Sequence, residues 1–302
     1  MSRVTWSLNG FELDRESFRV TVGTSFFPSI KTKRNVIAVA GRSGSIATGG
    51  LPVFEEREVT IQTVAWGDEW KSKADAFHRV CSMPVLTLVR REYAHGRTQV
   101  MQTRVELESL AANGDVRPVN ERVEETAVFA LPDVWWQGVS ELEASLPLTG
   151  GVLSDGAETL PEWFSNAPIA NMVVRIPLAS QVMVTDPVSG TGLSWNGTKA
   201  TGARFVYLDS SSMRAWTSSS DAEWTGGTDA STGLDYPAAG PLMVWPSADG
   251  SYSLMMTTDI PKANSDAGFV TWWTGAENAS TSQLFTTDDG LDAVIRFRQA
   301  WW

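Results

Sequence analysis

The side chains best suited to chemistry in this 302-residue chain are few: two histidines, His78 and His95, and one cysteine, Cys81. A zinc site needs three or four His, Cys or carboxylate ligands at workable spacing, and no pair of histidines or cysteines here provides the start of one. Nucleophilic hydrolysis needs a serine on a strained strand-to-helix turn with a base in reach, and no Gly-x-Ser-x-Gly elbow is present. The nearest stretch, Gly41-Arg42-Ser43-Gly44-Ser45, reads as a turn between two strands. Gly-x-Gly-x-x-Gly and Walker-type phosphate loops are absent as well. Carboxylates are plentiful, and Asp288-Asp289-Gly290-Leu291-Asp292 has the flavour of a calcium loop, but it lacks the ligand spacing and the distal glutamate such loops require. The residues predict no catalytic site, no cofactor and no metal.

Tryptophan is the other chemically distinctive type. Nine of the fourteen (Trp163, Trp195, Trp216, Trp224, Trp245, Trp272, Trp273, Trp301 and Trp302) lie in the second half. Large aromatics fill sandwich cores and subunit interfaces, and exposed ones stack on sugar rings. Trp216 and Trp224 flank a polar Ser/Thr/Gly-rich stretch, so they are the candidates for exposure and for contact with a saccharide.

These residues must be carried by strands. Short alternating runs at 58–64, 85–89, 100–107 and 126–130 read as half-buried strands. Between the first two, Trp70, Ala74, Phe77 and Cys81 recur at four, three and four residues and form one apolar stripe, which predicts a helix over 68–82 ended by Pro84. Asp68 and Glu69 at its start and Arg79 near its end suit the helix dipole. From Gly138 to about Pro168 the chain is rich in glycine and proline and reads as a connector. Beyond it, runs at 172–176, 203–208, 242–245 and 294–298 predict an antiparallel sandwich without a helix. Residues 209–235 look like one long surface loop.

Composition agrees with two folded domains. The chain is 42% hydrophobic and 20% charged, at a length that suits two domains of roughly 100 to 200 residues. Residues 1–137 hold 17 basic and 17 acidic residues, leaving 7 of the 24 basic and 18 of the 35 acidic ones to the second half. That acidic half repels phosphate, which argues against nucleic-acid binding there. One cysteine excludes an intrachain disulfide. No apolar run approaches the roughly 18 residues of a spanning helix, and residues 1–6 lack a secretion-signal core, so a soluble protein without membrane insertion is expected.

The opening Trp6-Ser7-Leu8-Asn9-Gly10, then Gly41-Arg42-Ser43-Gly44, then Phe54-Glu55-Glu56-Arg57-Glu58-Val59-Thr60-Ile61 resembles the N-terminal region of siphophage distal tail proteins. The following helix and Phe129-Ala130-Leu131-Pro132-Asp133-Val134-Trp135-Trp136 fit that family's first domain. Ala167-Pro168-Ile169-Ala170-Asn171-Met172-Val173-Val174, Met213-Arg214-Ala215-Trp216, Trp224-Thr225-Gly226-Gly227-Thr228-Asp229 and Ile295-Arg296-Phe297-Arg298-Gln299-Ala300-Trp301 are similar to the versions found in phages of actinobacteria. The resemblance implies a mainly β protein: an N-terminal β-sandwich with one packed helix (1–140), a connector (141–165) and a galectin-like or jelly-roll antiparallel sandwich (166–302). It also implies a structural role in the virion, at the tail tip, for a chain made in the bacterial host cytoplasm. Copies would form a ring, in all expectation a hexamer, between the tail tube protein and a tail-associated hub or fibre protein, with phage DNA passing through unbound. The alternative reading is a carbohydrate-binding module that contacts a host-surface saccharide through the second domain. Within this frame the loop 30–54, with Lys31, Lys33, Arg34 and Arg42, is expected to make ring contacts or face the lumen.

Overall fold

The computed structural model describes residues 3–25, 29–33, 36–38, 40, 43, 45–47, 51–94, 97–113, 121–146, 152–153, 165–177, 181–198, 200–248, 252–258, 270–271 and 293–302. The chain divides into two compact units, Met1–Val139 together with Trp302, and Ser140–Trp301.

The first unit is built on antiparallel strands in the order Phe11–Glu12, Arg3–Leu8, Leu86–Ala94, Arg97–Ala112, Arg122–Leu131, Arg57–Trp66, Phe18–Val20. The strand Arg97–Ala112 organises them. Through Val105 it pairs with Leu86–Ala94, and from Glu106, past an irregularity between Leu107 and Ser109, it pairs with Arg122–Leu131. One long strand therefore pairs with two neighbours in turn within a single sheet. The first hairpin turns on Asn9 (φ 48°) and Gly10 (φ 79°), the Asn-Gly pair that a two-residue turn with two positive φ values favours. The Asn9 side chain then ties this turn to the next strand, accepting from the Thr87 N–H at 2.7 Å and donating to the Val85 carbonyl at 2.8 Å.

The predicted helix forms over Trp70–Cys81 and packs on Arg57–Trp66 and Arg122–Leu131. Its buried side is Ala74, Phe77, Val80 and Cys81, while Trp70 is only half-buried. Phe77 meets Phe18 at 5.4 Å and Phe11 at 6.3 Å between ring centroids, and Phe11 meets Phe18 edge-on at 5.5 Å. Glu69 stands at the N-cap without a capping hydrogen bond and pairs instead with Lys73 at 3.1 Å. No acidic residue lies in the helix's first turn, so the dipole support expected from Asp68 and Glu69 falls one position short.

The second unit holds two larger antiparallel sheets. One runs Leu142–Leu146, Ala293–Phe297, Met172–Pro177, Phe205–Asp209, Arg214–Ser218, Thr228–Asp229, and the other Leu234–Asp235, Gly192–Trp195, Val182–Thr185, Met255–Thr258, Val270–Thr271. Met172, Val174, Ile176 and Ile295 line the buried face of the first, and Val182, Val184, Leu193 and Trp195 are buried on the second. Both leaves show the period-two burial of a sandwich. Among the described residues of this half the only helical turn is a short 3-10 segment, Ser231–Gly233.

Three expectations change. The connector expected at 141–165 contributes strands, because Leu142–Leu146 has apolar residues at alternate positions and pairs with Ala293–Phe297, and Val152–Leu153 pairs with Tyr252–Ser253. The stretch 209–235 is not one loop, since Arg214–Ser218 pairs along all of Phe205–Asp209. The strand expected at 242–245 is reduced to isolated bridges such as Ile169 with Val244, since Pro241 and Pro246 bracket it and neither has an N–H to donate to a ladder.

Candidate assembly surface

Two excursions leave the sheets, and they are built in opposite ways. In the first unit, Thr32–Lys33 pairs with Val53–Phe54, and Val36–Ala38 pairs with Ser45–Ala47, each as a two-stranded sheet of its own. Both belong to one excursion of the chain, the arm at 30–54, of which residues 34–35, 39, 41–42, 44 and 48–50 lie outside the described ones. At its root Glu55 N–H donates to the Lys31 carbonyl at 2.9 Å. Ile30, Val36 and Val53 are exposed by 45%, 42% and 51%, which places apolar surface in water along an element that no sheet supports. An isolated two-stranded hairpin is marginal in water on its own.

Lys31 and Lys33 are exposed. Arg34 and Arg42 lie outside the described residues.

In the second unit, Phe205, Tyr207, Trp216 and Trp224 form a cluster on the outer face of the six-stranded sheet. Tyr207 and Trp216 stack with centroids 5.3 Å apart and planes 5° from parallel, and Trp224 meets Tyr207 edge-on at 5.5 Å. The segment 219–227 straps this face. The Trp216 Nε1–H donates to the Glu223 carbonyl at 2.8 Å, the Tyr207 hydroxyl to Ser220 at 2.8 Å and Arg175 to Asp221 at 2.5 Å. The Arg296 guanidinium lies 4.2 Å from the Trp224 ring centroid and also pairs with Glu143. Gly227 fits because a Cβ there would stand 2.7 Å from the Thr217 carbonyl and 2.8 Å from the Trp216 ring.

The exposure expected for Trp216 and Trp224 is therefore corrected: they are 2% and 9% exposed. A polar loop was read as solvated, but it folds back and inserts its own tryptophan, and its carbonyls satisfy the donors beneath. No described tryptophan is exposed.

The candidate chemical groups do not converge. His78 Nε2 lies 2.6 Å from Glu125, whose side chain is buried against the helix. Cys81 is a buried free thiol, pushed up to about 12 by burial first and by Glu125 second, which is the opposite of an activated nucleophile. No group of three His, Cys, Asp or Glu residues fit to hold a metal occurs among the described residues. His95 and Asp288 through Asp292 lie outside them. Among the described helices none is long and apolar enough to cross a membrane.

The architecture defines a class: among the described residues, a two-unit β protein whose strand ladders are all antiparallel, with one α-helix in the first unit. No protein-family model matches the chain and no curated protein is significantly similar to it. Among solved structures, the chain matches the SPP1 Dit protein, described as a paradigm of the hub adsorption apparatus in Gram-positive infecting phages. The match covers 99% of this chain and 100% of that one, with a TM-score of 0.55 and 13% identity. Two structures of the phage P2 baseplate in its activated conformation, with calcium and with strontium, match at 10% identity each. Their TM-scores are 0.40 and 0.37, covering 98% and 87% of this chain and 98% and 99% of theirs. The likeness to the Dit protein is one of fold, over the full length, and it agrees with the mainly β architecture that the sequence motifs implied.

Proposed function

We propose that this chain is a structural protein of a phage tail tip, whose copies close into a ring that joins the tail tube to a hub or fibre protein. The observation that carries this reading is the full-length fold shared with a Dit hub protein. The arm fits this reading, since a second copy of the chain would cover its exposed Ile30, Val36 and Val53. A closed ring requires a heterologous interface, with two different patches on each copy. We assign the arm with Lys31 and Lys33, and by sequence Arg34 and Arg42, to one of them. The ring would let DNA pass without binding it, and the acidic second half suits the outside. The groups described above offer no reaction mechanism, so the role is one of presenting surfaces.

Negative-stain microscopy of the purified full chain tests the proposal. Rings with a central hole, in numbers that grow with protein concentration, are expected. A monomer both alone and when mixed with tail tubes would end it. The saccharide reading is not taken up, because the aromatic faces it required, those of Trp216 and Trp224, are buried.

A further inference from the structure

The arm's root is held by an aromatic clasp that includes Trp302, and we propose that this clasp steadies the root and so controls assembly; this rests on the ring reading above for its consequence, though not for its geometry. The two pairings at the root, Thr32 with Phe54 and Lys33 with Val53, are too short a ladder to be stable by themselves. Thr32, Lys33 and Val53 are exposed, which leaves Phe54 as the root side chain that is partly buried. Its ring meets Trp135 at 5.0 Å and 75° and Trp302 at 5.0 Å and 65°, and Trp135 and Trp302 meet at 4.7 Å and 78°. Three mutually edge-on rings make a directional contact of the kind aromatic quadrupoles favour.

A second observation points to the same place. Val134, next to Trp135, has φ 64°, a left-handed conformation that a β-branched residue adopts only under constraint. The turn is held there by Val134 N–H donating to the Leu131 carbonyl at 3.1 Å and by the buried Arg57 donating to the Val134 carbonyl at 3.0 Å. Arg57 opens the strand that follows the arm, so the guanidinium ties the arm's exit to the turn that presents Trp135. Strain retained in this turn, a buried arginine and three rings converge on the arm's base. Because Trp302 follows the whole second unit in sequence yet belongs to the first, the clasp closes only once the intervening chain has been made.

Limited trypsin digestion of the full chain reads the clasp directly, because the arm carries Lys31, Lys33, Arg34 and Arg42 as cleavage sites. Trp302→Ala is expected to raise the initial rate of cutting in the arm about tenfold, as more of the population opens there. The same variant lowers the fraction of chain in rings, while far-UV circular dichroism and cuts outside the arm stay as in the parent. Trp302→Phe, which keeps a ring in place, restores both. Val134→Gly relieves the left-handed strain and leaves the melting temperature unchanged or higher, yet also speeds cutting in the arm; a role in stability alone would not separate these. Unchanged cutting in both Trp302→Ala and Val134→Gly, with the sheets intact, overturns the proposal. Should Trp302→Ala fail to fold, Val134→Gly and Trp302→Phe decide it by the same rates. Should the parent chain form no rings, the ring reading falls and the cutting rates alone decide the clasp.

Discussion

The arm at 30–54 and the strap at 219–227 are both long departures from a sheet, and they differ in where their backbone and aromatic groups find partners. The strap has its carbonyls at Ser220, Asp221 and Glu223 taken by Tyr207, Arg175 and Trp216, and it buries Trp224 under an arginine. It is finished within its own unit. Among its described residues the arm leaves Ile30, Val36 and Val53 exposed. The strap's polar groups and large side chains are satisfied internally, whereas the arm leaves apolar residues outside, which under the proposed ring a neighbouring copy would cover.

Four experiments break or sharpen that contrast. The largest effect is expected from replacing residues 34–52 with a short Gly-Ser turn. Rings should disappear by light scattering after size-exclusion chromatography, while the melting temperature of the monomer stays within about 2 °C, as for changes away from a core. A large loss of monomer stability would show that the arm is part of the core. Next, Trp224→Ala should destabilise the second unit by about 3 to 5 kcal/mol, the usual range for truncating a buried aromatic, when followed by urea unfolding. Ring formation should survive it at low temperature. An unchanged midpoint would mean that the strap is not a packed element. Tyr207→Phe removes one hydroxyl bond to the strap and should cost about 1 kcal/mol, seen as faster hydrogen exchange confined to 219–227.

The smallest effect concerns the Asp186 turn. Its carboxylate is fully buried and accepts from the Ser189 N–H at 2.9 Å, and burial raises its pKa above the ordinary 3.8 despite these bonds. The folded state thus holds the proton more tightly than the unfolded chain. The Asp186 contribution is therefore favourable at acid pH and declines as pH rises from about the ordinary carboxylate value through the raised one. Asp186→Asn should flatten this part of the stability-pH curve, measured by urea midpoints across mildly acidic buffers. An equal slope in both proteins would show that the aspartate does not carry it.

Much of the fold could be read from local pattern. The stripe Trp70, Ala74, Phe77, Cys81 located the helix to within two residues at its start, and the alternating runs at 58–64 and 126–130 became Arg57–Trp66 and Arg122–Leu131. What failed was decided by distant partners. Leu142–Leu146 is a strand because Ala293–Phe297 lies beside it, and its Gly- and Pro-rich flanks outweighed its own short alternation. Trp224 sits in a stretch whose polarity says loop, and only the platform of Tyr207 and Trp216 beneath turns that loop into a strap. Lys31 and Lys33 could be singled out from sequence as charges in the 30–54 loop, whereas the Phe54, Trp135 and Trp302 clasp joins residues too far apart for any spacing rule. The strained Val134 gave no signal in composition at all.

The most direct test of the account is a crosslinking experiment on an equal mixture of unlabelled and isotope-labelled full chain, with a lysine-reactive reagent and mass spectrometry. Mixed-isotope links from Lys31 or Lys33 to residues of the first unit are predicted, since they report the arm of one copy lying on another. Only unmixed links from these lysines, at concentrations where the protein is assembled, would contradict the claim that the arm joins neighbouring copies.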